Sequence, residues 1–85
     1  MQNFSYIIQD DEGIHARPAG DLVKLAKQFT SSVQIGKDGK NVDCKKIFGI
    51  MGLGVKKGNE VTFTIEGEDE AEACKAISSF MSENL

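Results

Sequence analysis

The hydrophobic residues of this chain change their spacing several times within 85 residues. They recur at every second position in residues 3–8, 33–36 and 61–66, a spacing that predicts strands with one apolar face. They recur at every third or fourth position in residues 16–28 and 70–81, a spacing that predicts amphipathic helices. A short chain that alternates in this way is expected to lay its helices on a sheet.

Two shorter elements complete the predicted order. The Asp38-Gly39 pair indicates a tight hairpin, because both central residues of a type I′ turn need positive φ, and residues 41–44 form the returning strand. Residues 46–53 predict a short apolar helix that its glycines make weak in isolation. The residues that share one face of it are Ile47, Ile50 and Met51. The order is therefore β-α-β-β-α-β-α, and we expect one sheet covered by helices on one side only.

The composition excludes several classes of function. The formal net charge is −3 and the isoelectric point is about 5.0, whereas general nucleic-acid and membrane-surface binders carry a clustered basic excess. The single histidine and the absence of a CxxC motif leave too few ligands for zinc, so we expect no metal site. Cys44 at a strand end and Cys74 on a helix face are expected to be free thiols in a reducing cytosol.

The distribution of apolar residues also bears on location. No charged stretch followed by an apolar core marks a signal peptide, and no apolar run approaches the length that spans a bilayer. We therefore expect a cytoplasmic protein without membrane insertion. Residues 1–85 are expected to form a single domain, too small for a deep substrate cleft, that acts with a second protein. With no evident dimer seam, a monomer is expected.

Residues 13–19, Gly-Ile-His-Ala-Arg-Pro-Ala, combine features that suit an anion. His15 lies where a loop turns into a helix, so free backbone N–H groups and the positive end of the helix dipole converge there. The N–H groups of Ala16 and Arg17 can donate to a phosphoryl group on the imidazole, and the Arg17 guanidinium matches it in charge and geometry. Pro18 leaves open whether the helix begins at Ala16 or at Pro18 itself. A lone histidine is more often a surface residue, so the prediction rests on the combination.

A second surface is predicted beside this segment. Four residues are spaced to share the solvent face of the first helix: Arg17, Gly20, Lys24 and Lys27. Phe48 falls outside the apolar face of the short second helix and is expected to be exposed. A basic strip beside an exposed aromatic residue is typical of a protein-binding patch, although an ordinary solvated face would carry the same charges.

The chain resembles the histidine-containing phosphocarrier (HPr) family of the bacterial phosphoenolpyruvate-dependent sugar phosphotransferase system. The resemblance rests on residues 13–19 and is reinforced by residues 47–54, Ile-Phe-Gly-Ile-Met-Gly-Leu-Gly, and residues 66–70, Glu-Gly-Glu-Asp-Glu. It covers essentially the whole chain. It implies an α+β open-faced sandwich, in which a four-stranded antiparallel sheet carries three helices on one face.

The resemblance implies a covalent phosphoryl carrier within a transferase cascade of sugar transport, not a stand-alone enzyme. His15 would accept a phosphoryl group through Nδ1 from enzyme I and pass it to sugar-specific IIA components, with Arg17 supporting the group. No cofactor is implied, and transcriptional regulators are further candidate partners. The docking residues implied are Gly20, Lys24, Ile47, Phe48 and Met51.

One position departs from the family pattern. Lys46 stands where many members have a serine that an ATP-dependent kinase phosphorylates, and a lysine cannot accept that group. The chain is therefore expected to escape this control. Two alternatives stay open. The first is an HPr-like paralogue with the same chemistry that serves another phosphoryl-transfer chain, such as nitrogen-related regulation or a specialised sugar operon. The second is a module that binds a regulator without carrying phosphate.

Overall fold

The alternating and helical segments of the sequence form four strands and three helices in the predicted order, β-α-β-β-α-β-α. The computed structural model describes residues 1–85. The elements are β1 (Gln2–Ile7), α1 (Ala16–Lys27), β2 (Ser32–Lys37), β3 (Lys40–Asp43), α2 (Ile47–Gly52), β4 (Glu60–Glu66) and α3 (Glu70–Asn84).

The four strands form one antiparallel sheet in the spatial order β1-β4-β2-β3. β4, which has the clearest alternation in the sequence, lies inside the sheet between β1 and β2. The hairpin between β2 and β3 turns through Asp38 and Gly39, whose φ angles are 53° and 83°. These positive values confirm the predicted tight turn.

The hydrophobic core lies between one face of the sheet and the helices. It contains 19 buried residues drawn from both layers. Its largest fully buried side chains include Leu22, Ile35, Ile50, Phe63 and Ile77. The other face of the sheet carries exposed polar side chains, and the hydroxyl oxygens of Ser5 and Thr62 lie 3.0 Å apart there. The open-faced arrangement implied by the resemblance is therefore confirmed.

The short helix α2 buries its predicted apolar face unevenly. Ile50 is fully buried, Ile47 is half-buried, and the Met51 side chain is 40% exposed. The helix has only six residues and packs mainly against α1 and β3, so its neighbours cover only part of that face. The exposed part is thereby available to a partner.

Helix α3 runs antiparallel to α1, and hydrogen bonds join both ends of α3 to the segments that flank α1. The Asp69 carboxylate, just before α3, accepts hydrogen bonds from the backbone N–H groups of Thr30 and Ser31, just after α1. At the other end, the carbonyl oxygen of Leu85 accepts hydrogen bonds from the backbone N–H groups of residues 9 and 10. The end of α3 thus supports the loop that leads into α1.

The two cysteines carry free thiols in different surroundings. Cys44 is fully buried, and burial raises the pKa of its thiol to about 12. Cys74 is half-buried on α3, whose fully buried positions are Ala73, Ile77 and Met81. None of the three helices combines the length and the apolar character that a bilayer span requires.

Candidate functional site

The loop between β1 and α1 is held in a compact turn that ends at His15. The Asp10 side chain accepts a hydrogen bond from the backbone N–H of Glu12 at 2.8 Å, and the Asp10 carbonyl accepts one from Gly13 at 3.0 Å. Such turns are typical of aspartate at the start of a loop. The backbone N–H of Ile14 then donates to the Val55 carbonyl at 3.2 Å, which ties the loop to the chain before β4.

Gly13 allows this close approach between the two segments. Its φ of 67° lies in the left-handed region that favours glycine. A Cβ atom at this position would lie 2.2 Å from the Val55 carbonyl oxygen and 2.7 Å from Cα of Lys56. The glycine in the sequence motif is therefore required for packing as well as for backbone conformation, and the packing holds the loop that leads into His15.

His15 is the residue that caps α1, and the helix itself begins at Ala16. Its backbone is extended, with φ −95° and ψ −178°, and its carbonyl accepts the N–H of Ala19 at 3.0 Å. The backbone N–H groups of Ala16 and Arg17 have no acceptor within the protein, and Pro18 has no N–H. Two donors at the positive end of the helix dipole are thus free for an anion beside His15.

The imidazole of His15 lies between two carboxylates, and its side chain is 37% exposed. Nδ1 is 3.5 Å from Oε2 of Glu12, and Nε2 is 4.0 Å from Oδ1 of Asp10. The two ring nitrogens therefore have different neighbours, since the Glu12 side chain is exposed and the Asp10 side chain is hydrogen-bonded within the turn.

Arg17 supplies a free cation next to the imidazole. It is exposed, and its guanidinium has no carboxylate within 4.0 Å. A surface depression of about 210 Å³ is lined by Asp10, His15, Arg17, Pro18, Asp21 and Asn84. A larger depression of about 390 Å³ at the β2–β3 hairpin contains no histidine, cysteine or arginine, so the smaller one is the candidate site.

The predicted docking residues lie on α1 and α2, two helices that pack against each other. A Cβ atom on Gly20 would lie 3.8 Å from Cδ1 of Ile47, an ordinary van der Waals distance, so this part of α1 faces the start of α2. The Phe48 side chain is 88% exposed, which confirms the expectation from the sequence, and Met51 is partly exposed nearby on α2. The exposed basic residues of α1 are Arg17, Lys24 and Lys27.

A family model described as "PTS HPr component phosphorylation site" matches residues 2–83 of the chain. The chain belongs to the HPr family.

Solved HPr structures are similar over almost the whole chain. HPr from Thermoanaerobacter tengcongensis is 42% identical, with a TM-score of 0.93 and coverage of 98% of this chain and 93% of that one. The histidine-containing phosphocarrier protein of Mycoplasma is 38% identical, with a TM-score of 0.93 and coverage of 96% and 93%. Crh of Bacillus subtilis, a catabolite repression protein solved as a domain-swapped dimer, is 41% identical, with a TM-score of 0.79 and coverage of 94% and 92%.

Lys46, expected from the sequence to replace a phosphorylatable serine, caps α2. Its backbone is extended, its side chain is exposed, and it makes no side-chain hydrogen bond to the helix. The neighbouring Lys45 is engaged differently, because its Nζ donates to the Phe29 carbonyl at 2.9 Å. Only one of the two adjacent lysines is therefore free at the start of the helix.

Sequence reasoning did not single out the carboxylates of Asp10 and Glu12, which it treated as part of a polar loop. The acidic run Asp10-Asp11-Glu12 directly before Gly13 was visible in the sequence. In the structure, Asp11 turns away to pair with Lys57 at 2.9 Å, while the other two flank the imidazole. No group of three or more histidine, cysteine or acidic side chains is placed to hold a metal ion.

Proposed function

We propose that this HPr-family protein carries a phosphoryl group on His15, accepting it from enzyme I and passing it to sugar-specific IIA components. The observation that carries the proposal is the position of His15 beside two free backbone N–H groups and the unpaired Arg17 guanidinium. A nucleophilic imidazole and donors for an anion thus lie within three consecutive residues. This arrangement suits a phosphoryl group in both charge and geometry.

The transfer needs positioning and charge stabilisation. The Nδ1 lone pair of His15 attacks phosphorus, the bond between phosphorus and the donor breaks, and its electron pair stays with the donor. Donors from Ala16 and Arg17 then stabilise the negative charge on the phosphoryl oxygens. Because imidazole nitrogen is also a good leaving group, the same geometry serves the return step, in which an acceptor attacks phosphorus and the electron pair returns to Nδ1.

A partner protein is needed to complete this site. The depression around His15 is small and open, so it cannot by itself exclude water from the reaction. The surface between α1 and α2 offers an exposed aromatic side chain beside basic residues, which suits a transient interface with either partner. The proposed docking residues are Gly20, Lys24, Lys27, Ile47, Phe48 and Met51.

The proposed working form is a cytoplasmic monomer. Crh and one form of HPr from T. tengcongensis were solved as dimers, so a dimer is the competing possibility. The molar mass measured by light scattering as the protein elutes from a size-exclusion column, with and without phosphorylation, distinguishes a monomer from a dimer.

A second candidate is an HPr-like regulatory protein that binds a regulator without carrying phosphate. The 41% identity to Crh, a catabolite repression protein, supports it, as does Lys46 at the usual serine position. The presence of both His15 and an unpaired Arg17 favours the carrier, because a pure binding module has no chemical need for either.

The test is intact mass measurement after incubation with phosphoenolpyruvate and a catalytic amount of enzyme I. We expect a gain of one acid-labile phosphoryl group that is absent from a His15→Ala variant. No gain, with enzyme I shown to be active on another carrier, would contradict the proposal. A regulatory module would keep its partner affinity in the His15→Ala variant, whereas a carrier would lose its function.

A further inference from the structure

We propose that Glu12 is a positioning residue that controls how readily the phosphoryl group stays on His15, by competing with that group for Nδ1. This inference rests on the proposed function. It begins from the 3.5 Å separation between Oε2 of Glu12 and Nδ1 of His15, the nitrogen proposed to be phosphorylated. The carboxylate and the phosphoryl group would occupy the same side of the same ring.

The Glu12 side chain is free to leave this position. It is 72% exposed and makes no hydrogen bond to any other part of the protein, and the only basic side chain within 4.0 Å of its carboxylate is His15. The Asp10 side chain, by contrast, is 31% exposed and is held by the hydrogen bond from the Glu12 backbone N–H. The two carboxylates beside the imidazole therefore differ, since the Glu12 carboxylate has no hydrogen bond to hold it and the Asp10 carboxylate is part of the turn.

In the empty carrier, the Glu12 carboxylate lies on the Nδ1 side of the ring and favours the neutral tautomer that carries its proton on Nδ1. A ring nitrogen that carries a proton has no lone pair to offer, so this contact opposes attack on phosphorus. Before loading, the proton must move through water to Nε2, where Asp10 lies 4.0 Å away. The bond from Nδ1 to phosphorus then forms, and the donor's bond to phosphorus breaks with its electron pair remaining on the donor.

In the loaded carrier, the same carboxylate repels the phosphoryl group. The phosphoryl oxygens are negatively charged, so Glu12 must swing into solvent, and its remaining charge still disfavours the loaded state. Glu12 thus stabilises the empty carrier and destabilises the loaded one. Both effects shift the equilibrium towards donation of the phosphoryl group to an acceptor.

Arg17, which lines the depression with His15, acts in the opposite direction. Its guanidinium is unpaired and favours the loaded state, whereas Glu12 favours the empty one. The depression also contains Asp21 and Asn84, of which only Asp21 adds a further charge. The Glu12 carboxylate and the Arg17 guanidinium therefore act in opposite directions on the affinity of His15 for the phosphoryl group, in addition to the two carboxylates that line the depression.

The experiment compares the full-length protein with Glu12→Gln and Glu68→Gln variants. The second variant removes the same charge at the start of α3, which lies at the far end of α1 from His15. Each protein is equilibrated with catalytic enzyme I at a fixed ratio of phosphoenolpyruvate to pyruvate, and the phosphorylated fraction is measured. We expect the equilibrium constant to rise by at most about fivefold in Glu12→Gln, the effect of unit charges about 4 Å apart in water, because the Glu12 side chain moves away from the phosphoryl group. The equilibrium constant of the Glu68→Gln variant should stay close to that of the unmodified protein.

A spectroscopic measurement separates this role from a structural one. The ¹⁵N chemical shifts of the neutral His15 imidazole report which nitrogen carries the proton, and Glu12→Gln should lower the share on Nδ1. Unchanged tautomer populations and an unchanged equilibrium would overturn the inference. Failure of the unmodified protein to accept any phosphoryl group would instead refute the proposed function.

Discussion

The Asp69 carboxylate joins the start of α3 to the end of α1 by accepting hydrogen bonds from the backbone N–H groups of Thr30 and Ser31, each at 2.9 Å. The Ser31 hydroxyl donates to the same carboxylate. This hydroxyl hydrogen bond, followed by that from Thr30, lowers the pKa of Asp69 from 3.8 to about 2. The charged carboxylate is therefore part of the folded structure.

This pKa shift predicts how stability changes in acid. A carboxyl group whose pKa is lower in the folded state stabilises the fold while it is charged, and this contribution is lost as it becomes protonated. The loss should occur as the pH falls from about 4 to about 2, between the ordinary and the folded pKa of Asp69. We expect an Asp69→Asn variant to be less stable than the unmodified protein at neutral pH. Its free energy of unfolding should also fall less on acidification.

Urea denaturation at several pH values tests this prediction. A Glu68→Gln variant is the control, because Glu68 is exposed and its side chain takes no part in this contact. If Asp69→Asn had the same dependence on pH as the unmodified protein, the contact would contribute nothing measurable to the fold.

Gly13 offers a second prediction, on the packing that positions His15. An alanine here would place its Cβ 2.2 Å from the Val55 carbonyl oxygen, in addition to requiring a φ of 67°. Gly54 is a matched control, since its φ is 62° and a Cβ there would have no atom within 4 Å. We expect Gly54→Ala to cost about 1–2 kcal/mol from backbone strain alone. Gly13→Ala should cost about 1–3 kcal/mol more from the clash.

Urea midpoints of the two variants test this difference. Gly13→Ala should also slow phosphorylation of His15, because the loop must shift to relieve the clash, whereas Gly54→Ala should not. Equal stabilities of the two variants would show that the loop absorbs the extra atom without strain.

The secondary structure could be predicted from the sequence because its signals are local. The alternation of residues 61–66 predicted strand β4, and the Asp38-Gly39 pair predicted a turn whose positive φ values the structure confirms. The exposure of Phe48 followed from its place off the apolar face of a short helix. Each of these inferences depends only on residues that are close together in the sequence.

The surroundings of His15 could not be predicted, because they depend on contacts between distant segments. Glu12 reaches Nδ1 only after the Gly13 backbone has packed against Val55 and the Asp10 side chain has formed its turn. Whether Glu12 pairs with Lys57, as Asp11 does, or with His15 is decided by that packing. The sequence shows three acidic residues in a row and does not distinguish their partners.

Phe48 offers a third prediction, which separates docking from stability. Its side chain is 88% exposed, so Phe48→Ala should change the free energy of unfolding by no more than about 0.5 kcal/mol. Exposed aromatic residues at interfaces often contribute about 2 kcal/mol to binding. We therefore expect the KM of enzyme I for the carrier to rise at least about tenfold, with kcat nearly unchanged.

Ile50→Ala is the contrasting variant on the same helix. Ile50 is fully buried, so its truncation should cost about 2–5 kcal/mol of stability. The KM of enzyme I, measured on the folded fraction of each variant, then separates an effect on docking at Phe48 from an effect on stability at Ile50. An unchanged KM for Phe48→Ala would remove Phe48 from the proposed docking surface.

Lys46 offers a fourth prediction, in which one substitution should have two consequences. Lys46 caps α2 without a side-chain hydrogen bond, whereas serine in that position can accept one from a free N–H of the first turn. We expect Lys46→Ser to stabilise the protein by about 0.5–1 kcal/mol, because α2 is short and rich in glycine. The new hydroxyl should also make the chain a substrate of the ATP-dependent kinase that phosphorylates serine at this position in many HPr proteins.

The two consequences are measured separately, by urea denaturation and by intact mass after incubation with the kinase and ATP. Lys45→Ser is the control, because Lys45 lies outside the capping position and its Nζ already bonds to the Phe29 carbonyl. It should gain neither stability nor phosphorylation. Phosphorylation of the unmodified protein by the kinase would mean that another residue accepts the group, and Lys46 would then not protect the chain from this control. Phosphorylation of Lys46→Ser alone would show that one side chain at the start of α2 decides whether this regulation can operate.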